Sequence, residues 1–213
     1  MKSDTISPET ARWFYDWLGA KHDWGGRFER QAKDRALELL DARSAQRLLN
    51  VGVGTGKEQK AVQAALPPTG HSFGIDLSQT MLNLTRQRVP PTLLCTALVR
   101  QLPFAANSFD RLLCTYVLDL LETAVLPQTL SEFHRVLQPG GKLVLVSLTE
   151  GCDAPSKLVV GLWKAAYKVH PLTCGGCRPL QLQALVQQAG FSVVQREVIV
   201  QLGVPSEIVL AEK

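Results

Sequence analysis

Leu48-Leu49-Asn50-Val51-Gly52-Val53-Gly54-Thr55-Gly56 is the stretch from which the rest of this chain is read. A short apolar run with strand character ends in three alternating glycines, and a helix-like stretch, residues 57–66, follows at once. Glycines at a strand-to-helix turn remove Cβ atoms where backbone bends sharply or approaches a ligand. The N–H groups at the helix N-terminus then face that ligand. The turn therefore reads as a nucleotide or nucleoside site. Its spacing excludes a P-loop: Gly56-Lys57 is present, but Val51 stands at the first glycine position and Glu58 at the Ser/Thr position. A dinucleotide fingerprint also fits poorly, because Lys57 stands where its third glycine belongs. Asp76, at the end of the next strand, suits the hydroxyls of any ribose, or alternatively caps the helix beginning near Ser78.

Outward from this turn the same rhythm repeats. Strand-like runs at 47–51, 72–75, 92–97, 110–116 and 142–148 alternate with helical stretches at 57–66, 79–88 and 124–137. Repeated strand–helix–strand units build a parallel, doubly wound, Rossmann-like α/β sheet. Pro139-Gly140-Gly141 reads as the turn feeding the fifth strand. Upstream, the stretch 8–18 crowds Trp13, Phe14, Tyr15 and Trp17 together, a cluster that suits core packing more than a substrate box. A helix over 27–40 places Phe28, Ala32, Ala36, Leu39 and Leu40 on one face.

After Leu148 the rhythm breaks. A loop at 151–155 leads to a helix over 156–169, then to Cys174-Gly175-Gly176-Cys177, then to a helix over 179–189 closed by Gly190. Two strands, 191–200 and 207–211, joined through 201–206, read as an antiparallel closing hairpin. With no linker and no internal repeat, residues 1–213 read as one domain.

Composition is that of a soluble globular protein: 46% hydrophobic, 20% charged, mean hydropathy +0.03. The net charge of +4 comes from scattered Lys and Arg with no run that would track a phosphate backbone, so nucleic acid is not the default partner. No stretch approaches the roughly 20 apolar residues of a transmembrane helix, and Met1-Lys2-Ser3-Asp4-Thr5 leads into no signal-peptide core. Five cysteines, two of them (Cys95 and Cys114) in strand-like runs, read as reduced thiols in a cytoplasmic protein.

Four motifs in order resemble the class I S-adenosylmethionine-dependent methyltransferases. They are residues 49–56; Gly74-Ile75-Asp76-Leu77-Ser78 with Met81-Leu82; Leu102-Pro103-Phe104 with Ser108-Phe109-Asp110; and residues 132–141, from Glu132 to Pro139-Gly140-Gly141. Tyr15-Asp16, Cys177-Arg178-Pro179-Leu180 and Gly203-Val204-Pro205-Ser206-Glu207 are further similar to the small ubiquinone/menaquinone-biosynthesis C-methyltransferases. The resemblance implies the seven-strand class I fold and S-adenosylmethionine as cofactor. It divides the domain into an N-terminal helical lid (1–45), a cofactor-binding core (46–148), an inserted lid (149–180) and a closing helix and hairpin (181–213).

By the same resemblance, Gly52, Gly54 and Gly56 bring backbone to the methionine and ribose, Asp76 takes the ribose hydroxyls, and Leu77 meets the adenine. Thr115 and Tyr116 flank the sulfonium, unless they only pack, and Tyr15 lies on the lid. Two positions depart from the pattern. Asn50 stands in place of an acid, and Leu98 stands where relatives place an aspartate on the adenine amine. One lost charge-assisted hydrogen bond costs about 1.5–3 kcal/mol, so adenine binding is expected to be weakened, not abolished.

The implied reaction is O-, C- or N-methylation of a small or lipophilic acceptor, the latter suggested by Leu158, Val159, Val160, Leu162, Trp163 and Tyr167 in the inserted helix. No strong base stands out; Tyr116, Tyr15, Asp119 and His170 are weak candidates. His170, Cys174 and Cys177 invite a metal or dithiol reading but lack an evident fourth ligand, so no metal is expected and a substrate-lid loop is preferred. Two rivals are a nicotinamide oxidoreductase and a non-catalytic or weakly binding member acting through partners. Asn50 and Leu98 argue for the latter.

Overall fold

The computed structural model describes residues 5–90 and 92–213. Met1-Lys2-Ser3-Asp4, read above for a leader signature, lie outside them. In chain order the elements are α1 (Pro8–Leu18), the one-turn α2 (His22–Gly25), α3 (Arg30–Leu40), β1 (Arg47–Val51), α4 (Lys57–Ala65), β2 (His71–Asp76), α5 (Gln79–Arg88), β3 (Leu93–Thr96) and β4 (Phe109–Thr115). There follow α6 (Leu126–Val136), β5 (Leu137–Leu148), α7 (Ala154–Val169), α8 (Leu182–Gln188), β6 (Ser192–Gln201) and β7 (Val204–Glu212). The strands form one seven-stranded sheet in the order β3-β2-β1-β4-β5-β7-β6. β1 to β5 pair in parallel, and β7 runs antiparallel between β5 and β6.

The strands are apolar on both faces because helices cover both. Side chains alternate across a strand, and the two cores divide accordingly. Leu48, Leu113, Val144, Val146 and Ile208 pack with Ala32, Ala36 and Leu40 of α3 and Val62 of α4. Leu49, Val51, Leu112, Leu143, Leu145 and Val209 pack with Leu130 and Phe133 of α6 and Leu182 and Val186 of α8. The spacing i, i+4, i+8 in α3 puts its three residues on one stripe. Each large side chain fully buried in this way contributes about 1.5–3 kcal/mol.

Helix ends follow from local chemistry. Ser7 accepts from Thr10 N at the start of α1, with Pro8 in the first turn. Asp153 and Ser156 form a reciprocal capping box on α7. Gly190, at φ +88°, follows the end of α8, and Phe191 N returns to Val186 O at 3.3 Å.

Five expectations need correction. β5 begins at Leu137, and Pro139-Gly140-Gly141 is an irregularity within it, held by Gly140 N to Lys213 O and Lys213 N to Gly141 O. α8 begins at Leu182 because the preceding segment is spent bridging to β5, with Leu180 N donating to Leu148 O at 2.8 Å. α3 begins at Arg30, since Gly26–Phe28 form a separate 3-10 turn. β7 begins at Val204, so the hairpin turns on Leu202-Gly203, both at positive φ, as a two-residue loop requires to match strand twist. The aromatic cluster is not core: Trp13 and Trp17 are 62% and 64% exposed.

β1 lies between β2 and β4, so the chain leaves it to one side and returns on the other. Loops at the carboxyl ends of these strands diverge at such a reversal, and a crevice opens there.

Candidate functional site

The glycine turn closes that crevice's floor. Gly52 N and Val53 N donate to Ile75 O at 2.8 and 3.0 Å, folding the turn onto β2. Gly52, Gly54 and Gly56 lie at φ +74°, +53° and +84°, the left-handed region that favours glycine. A Cβ on Gly52 would overlap Val117, and one on Gly56 would meet Thr85 Oγ1 at 2.8 Å. A Cβ on Gly54 would project into open space. Packing therefore requires the outer two glycines, while Gly54 presents bare backbone to the crevice.

Asp76 completes the floor. Its Oδ2 accepts from Gly54 N and its Oδ1 from Ser78 N, each at 2.9 Å. Burial pushes its pKa up, and the N–H groups of Ser78, Gly54 and Leu77 pull it back down. Each carboxylate oxygen keeps acceptor capacity for a further donor. Helix capping falls instead to Ser78, which accepts from Met81 N.

Two cavities meet over this floor and share Tyr15, Gly52, Asp76, Val117 and Leu120. The smaller, about 160 Å³, is an apolar slot walled by Leu77, Ala97, Leu98, Val99, Leu121 and Val125. The larger, about 530 Å³, runs past Gly54, Thr115 and Tyr116 toward α3 and α4. Tyr116 sits at φ +53°, a strained conformation for a non-glycine residue. Its hydroxyl meets Ser206 Oγ at 2.6 Å, and the Lys33 ammonium lies 5.3 Å from its ring centroid. Lys33 pairs with Glu29 at 2.8 Å and Glu58 at 3.5 Å. Burial pushes the Lys33 pKa down, but the two carboxylates outweigh it and raise it to about 12. Tyr15, on the inward side of α1, donates to Gly175 O at 3.2 Å and so latches this helix to the Cys-Gly-Gly-Cys loop.

Asn50, Gly56 and His170 do not line either cavity. Asn50 is buried and donates to Gln59 Oε1 at 3.1 Å; Gln59 in turn reaches Ser72 and Thr92. His170 is exposed at the end of α7. Burial pushes the phenols of Tyr15 and Tyr116 well above their usual range, which makes both poor bases near neutral pH. Asp119 is fully buried and lines neither cavity, with Oδ2 accepting from Leu148 N at 3.3 Å and Oδ1 lacking a hydrogen-bond partner among the described residues. All five cysteines are free thiols; Cys174 Sγ reaches Trp163 O at 3.5 Å, and Cys177 lines the larger cavity.

Sequence reading missed Lys33, Val117 and His22 as wall residues, while Cys177 lies in the loop it preferred as a substrate lid. Of the three, Lys33 had a signal, its i, i+4 spacing from Glu29 beside the buried face of α3. His22 lines the larger cavity with its pKa pushed down, by burial first and by Lys33 second, so its imidazole is neutral near pH 7. The apolar signal of the inserted helix is also redistributed: none of Leu158, Val159, Val160, Leu162, Trp163 and Tyr167 lines either cavity, and Leu158 and Leu162 face solvent.

A family model described as a methyltransferase domain matches residues 49–145. An O-methyltransferase, rstn1, of Aspergillus nomiae is 31% identical over 165 residues, covering 74% of this chain and 69% of the relative. A ubiquinone/menaquinone biosynthesis C-methyltransferase, UbiE, of Dinoroseobacter shibae is 34% identical over 132 residues, covering 59% and 51%. The chain spans about half the length of several curated relatives it matches. Among solved structures, the N-methyltransferase NodS from Bradyrhizobium japonicum, crystallised with S-adenosyl-L-homocysteine, superposes with TM-score 0.67 at 16% identity, covering 87% of each chain.

Proposed function

This chain belongs to the class I S-adenosylmethionine-dependent methyltransferase family, and from that premise we propose that it methylates a small acceptor bound in the larger cavity. The observation that carries this reading is the junction of the two cavities at Asp76 and the bare backbone of Gly54. These residues fit S-adenosylmethionine: an apolar slot suits a purine, a carboxylate with spare acceptor capacity suits a ribose, and an open glycine suits the methionine end.

Leu77, Leu98 and Val99 would hold the adenine, Asp76 the ribose hydroxyls, and Gly52 and Gly54 the methionine portion. Thr115 and Tyr116 would border the reacting centre, and Tyr15 would close over it. When bound, the cofactor supplies an electrophilic methyl group for in-line transfer. The protein's part is to hold acceptor and methyl aligned with water excluded, which is where much of the acceleration of such displacements arises. Neutral His22 would take the proton from a hydroxylated acceptor. A volume of about 530 Å³ suits a small molecule rather than a nucleic acid. By this reading residues 1–213 would act as one domain with lids at 1–45 and 149–180, in the cytoplasm.

Calorimetric titration with S-adenosylhomocysteine tests the reading, followed by labelled-methyl transfer to phenols, quinols and amines. Saturable binding, weakened at least tenfold in Asp76→Ala as expected for lost bonds to a carboxylate, is the expected result. Failure to bind either the donor or its demethylated product would overturn it and favour a non-catalytic member, the reading that Leu98 in the slot supports.

A further inference from the structure

α7 divides its apolar residues between two faces. Ser156 and Val160 are buried, and Trp163 donates its indole N–H to Cys177 O at 2.9 Å, so one face is fixed against the cavity wall. On the other face Leu158, Leu162 and Val169 are 66%, 64% and 85% exposed, with exposed Gly161 and Ala165 between them. At 3.6 residues per turn these five positions form one continuous stripe. Leu202, 68% exposed at the β6–β7 turn, extends it, because the adjoining Gly203 packs against Val159.

Charge decides what such a face meets. Lys157, Lys164 and Lys168, all exposed, fall on one flank of the stripe, and α7 contains no acidic residue. From Ala154 to Arg196 the sequence carries five Lys or Arg and no Asp or Glu. The nearest acids lie just before the helix: Glu150 pairs with Lys164 at 2.6 Å, and Asp153 caps the N-terminus beside Lys157. A second copy of α7 packed on this face would set lysine against lysine with no acid on either helix to offset it. A bilayer of anionic lipid accepts both parts at once, the leucines at the acyl boundary and the lysines among headgroups. Among the described residues no helix is long and apolar enough to cross a membrane, so α7 would lie in the interface plane.

We propose that the outer face of α7, continued by Leu202, docks this protein on an anionic bilayer surface. This goes beyond the catalytic reading and does not depend on it. The test is flotation of the full chain with vesicles of phosphatidylcholine alone and of equimolar phosphatidylcholine and phosphatidylserine. The wild-type chain is expected to float with the mixed vesicles only, and added salt is expected to release it.

Lys157→Gln with Lys168→Gln should weaken binding about 25-fold, about fivefold for each charge near the surface. Leu158→Gln with Leu162→Gln should weaken it at least tenfold, with an unchanged melting temperature showing that the fold is intact. Flotation that is absent, indifferent to phosphatidylserine, or unchanged from wild type in both variants overturns the proposal. So does a concentration-dependent dimer that the leucine variant abolishes without any flotation, which would assign the face to a second copy.

Discussion

In β1, Leu48, Leu49 and Val51 are wholly buried, whereas in α7 Leu158, Leu162 and Val169 keep most of their surface in solvent. Both stretches are comparably apolar in sequence. β1 has a strand on either side and helices over both faces, so every side chain meets a neighbour whichever way it points. α7 packs on one side only, against β7 and the Cys-Gly-Gly-Cys loop. Apolar sequence therefore reports burial at the centre of a sheet, but at the periphery it reports only an amphipathic surface, one face of which the chain leaves to solvent.

The sharpest way to break the comparison is at the glycine turn. Gly52→Val puts a β-branched residue at φ +74° and overlaps Val117, so a loss of about 2–5 kcal/mol of stability is expected, along with S-adenosylhomocysteine binding. Thermal melting and calorimetry check it; near wild-type values would mean that the turn tolerates a side chain.

Asp119 marks the seam between the two regions, since it holds Leu148 N at the end of β5 and its own carbonyl accepts from Arg178 N. Burial raises its pKa from 3.8 to about 7. A raised carboxyl contributes stability in full below its unfolded value, and that contribution is lost as pH rises through about 7. Asp119→Asn should thus match the wild type near pH 4 and exceed it above pH 7, by on the order of 4 kcal/mol. Parallel pH–stability curves for the two proteins would refute the assignment.

Leu98→Asp tests the apolar slot. Restoring an acceptor for an exocyclic amine should tighten S-adenosylhomocysteine binding by roughly tenfold to a hundredfold. An unchanged dissociation constant, already in the low-micromolar range for the wild type, would show that Leu98 costs nothing. Asn50→Leu separates a structural asparagine from a binding one. It strands Gln59 Oε1 in the interior, so stability should fall by about 1–3 kcal/mol with ligand affinity unchanged. The smallest effect belongs to α7: Leu158→Gln with Leu162→Gln should shift stability by less than about 0.5 kcal/mol, as for substitutions on open surface. A larger loss in chemical denaturation would place these leucines in a contact within the chain.

What could be read without coordinates was local. The strand–glycine–helix unit at 47–65, the ends of α1 and α5 and the alternation of strands and helices all follow from periodicity, turn residues and caps, which act over a few residues. Asp76 and Gly54 were legible as candidate residues of the crevice floor for the same reason, since they punctuate a strand end and a turn. The remainder depended on contacts between residues far apart in the chain. Tyr15 meets Gly175 across 160 positions, Tyr116 meets Ser206 across 90, and Gly52 owes its missing Cβ to Val117.

The sequence by itself determined the doubly wound sheet and the glycine floor of the crevice, because backbone conformation and side-chain alternation are set by neighbours in the chain. Only the tertiary structure decided that Asn50 answers Gln59, that Lys33 and His22 wall the larger cavity, and which face of α7 is left to solvent. Those outcomes turn on which elements pack together, and a helix with two apolar faces carries no local record of which one its own protein will cover.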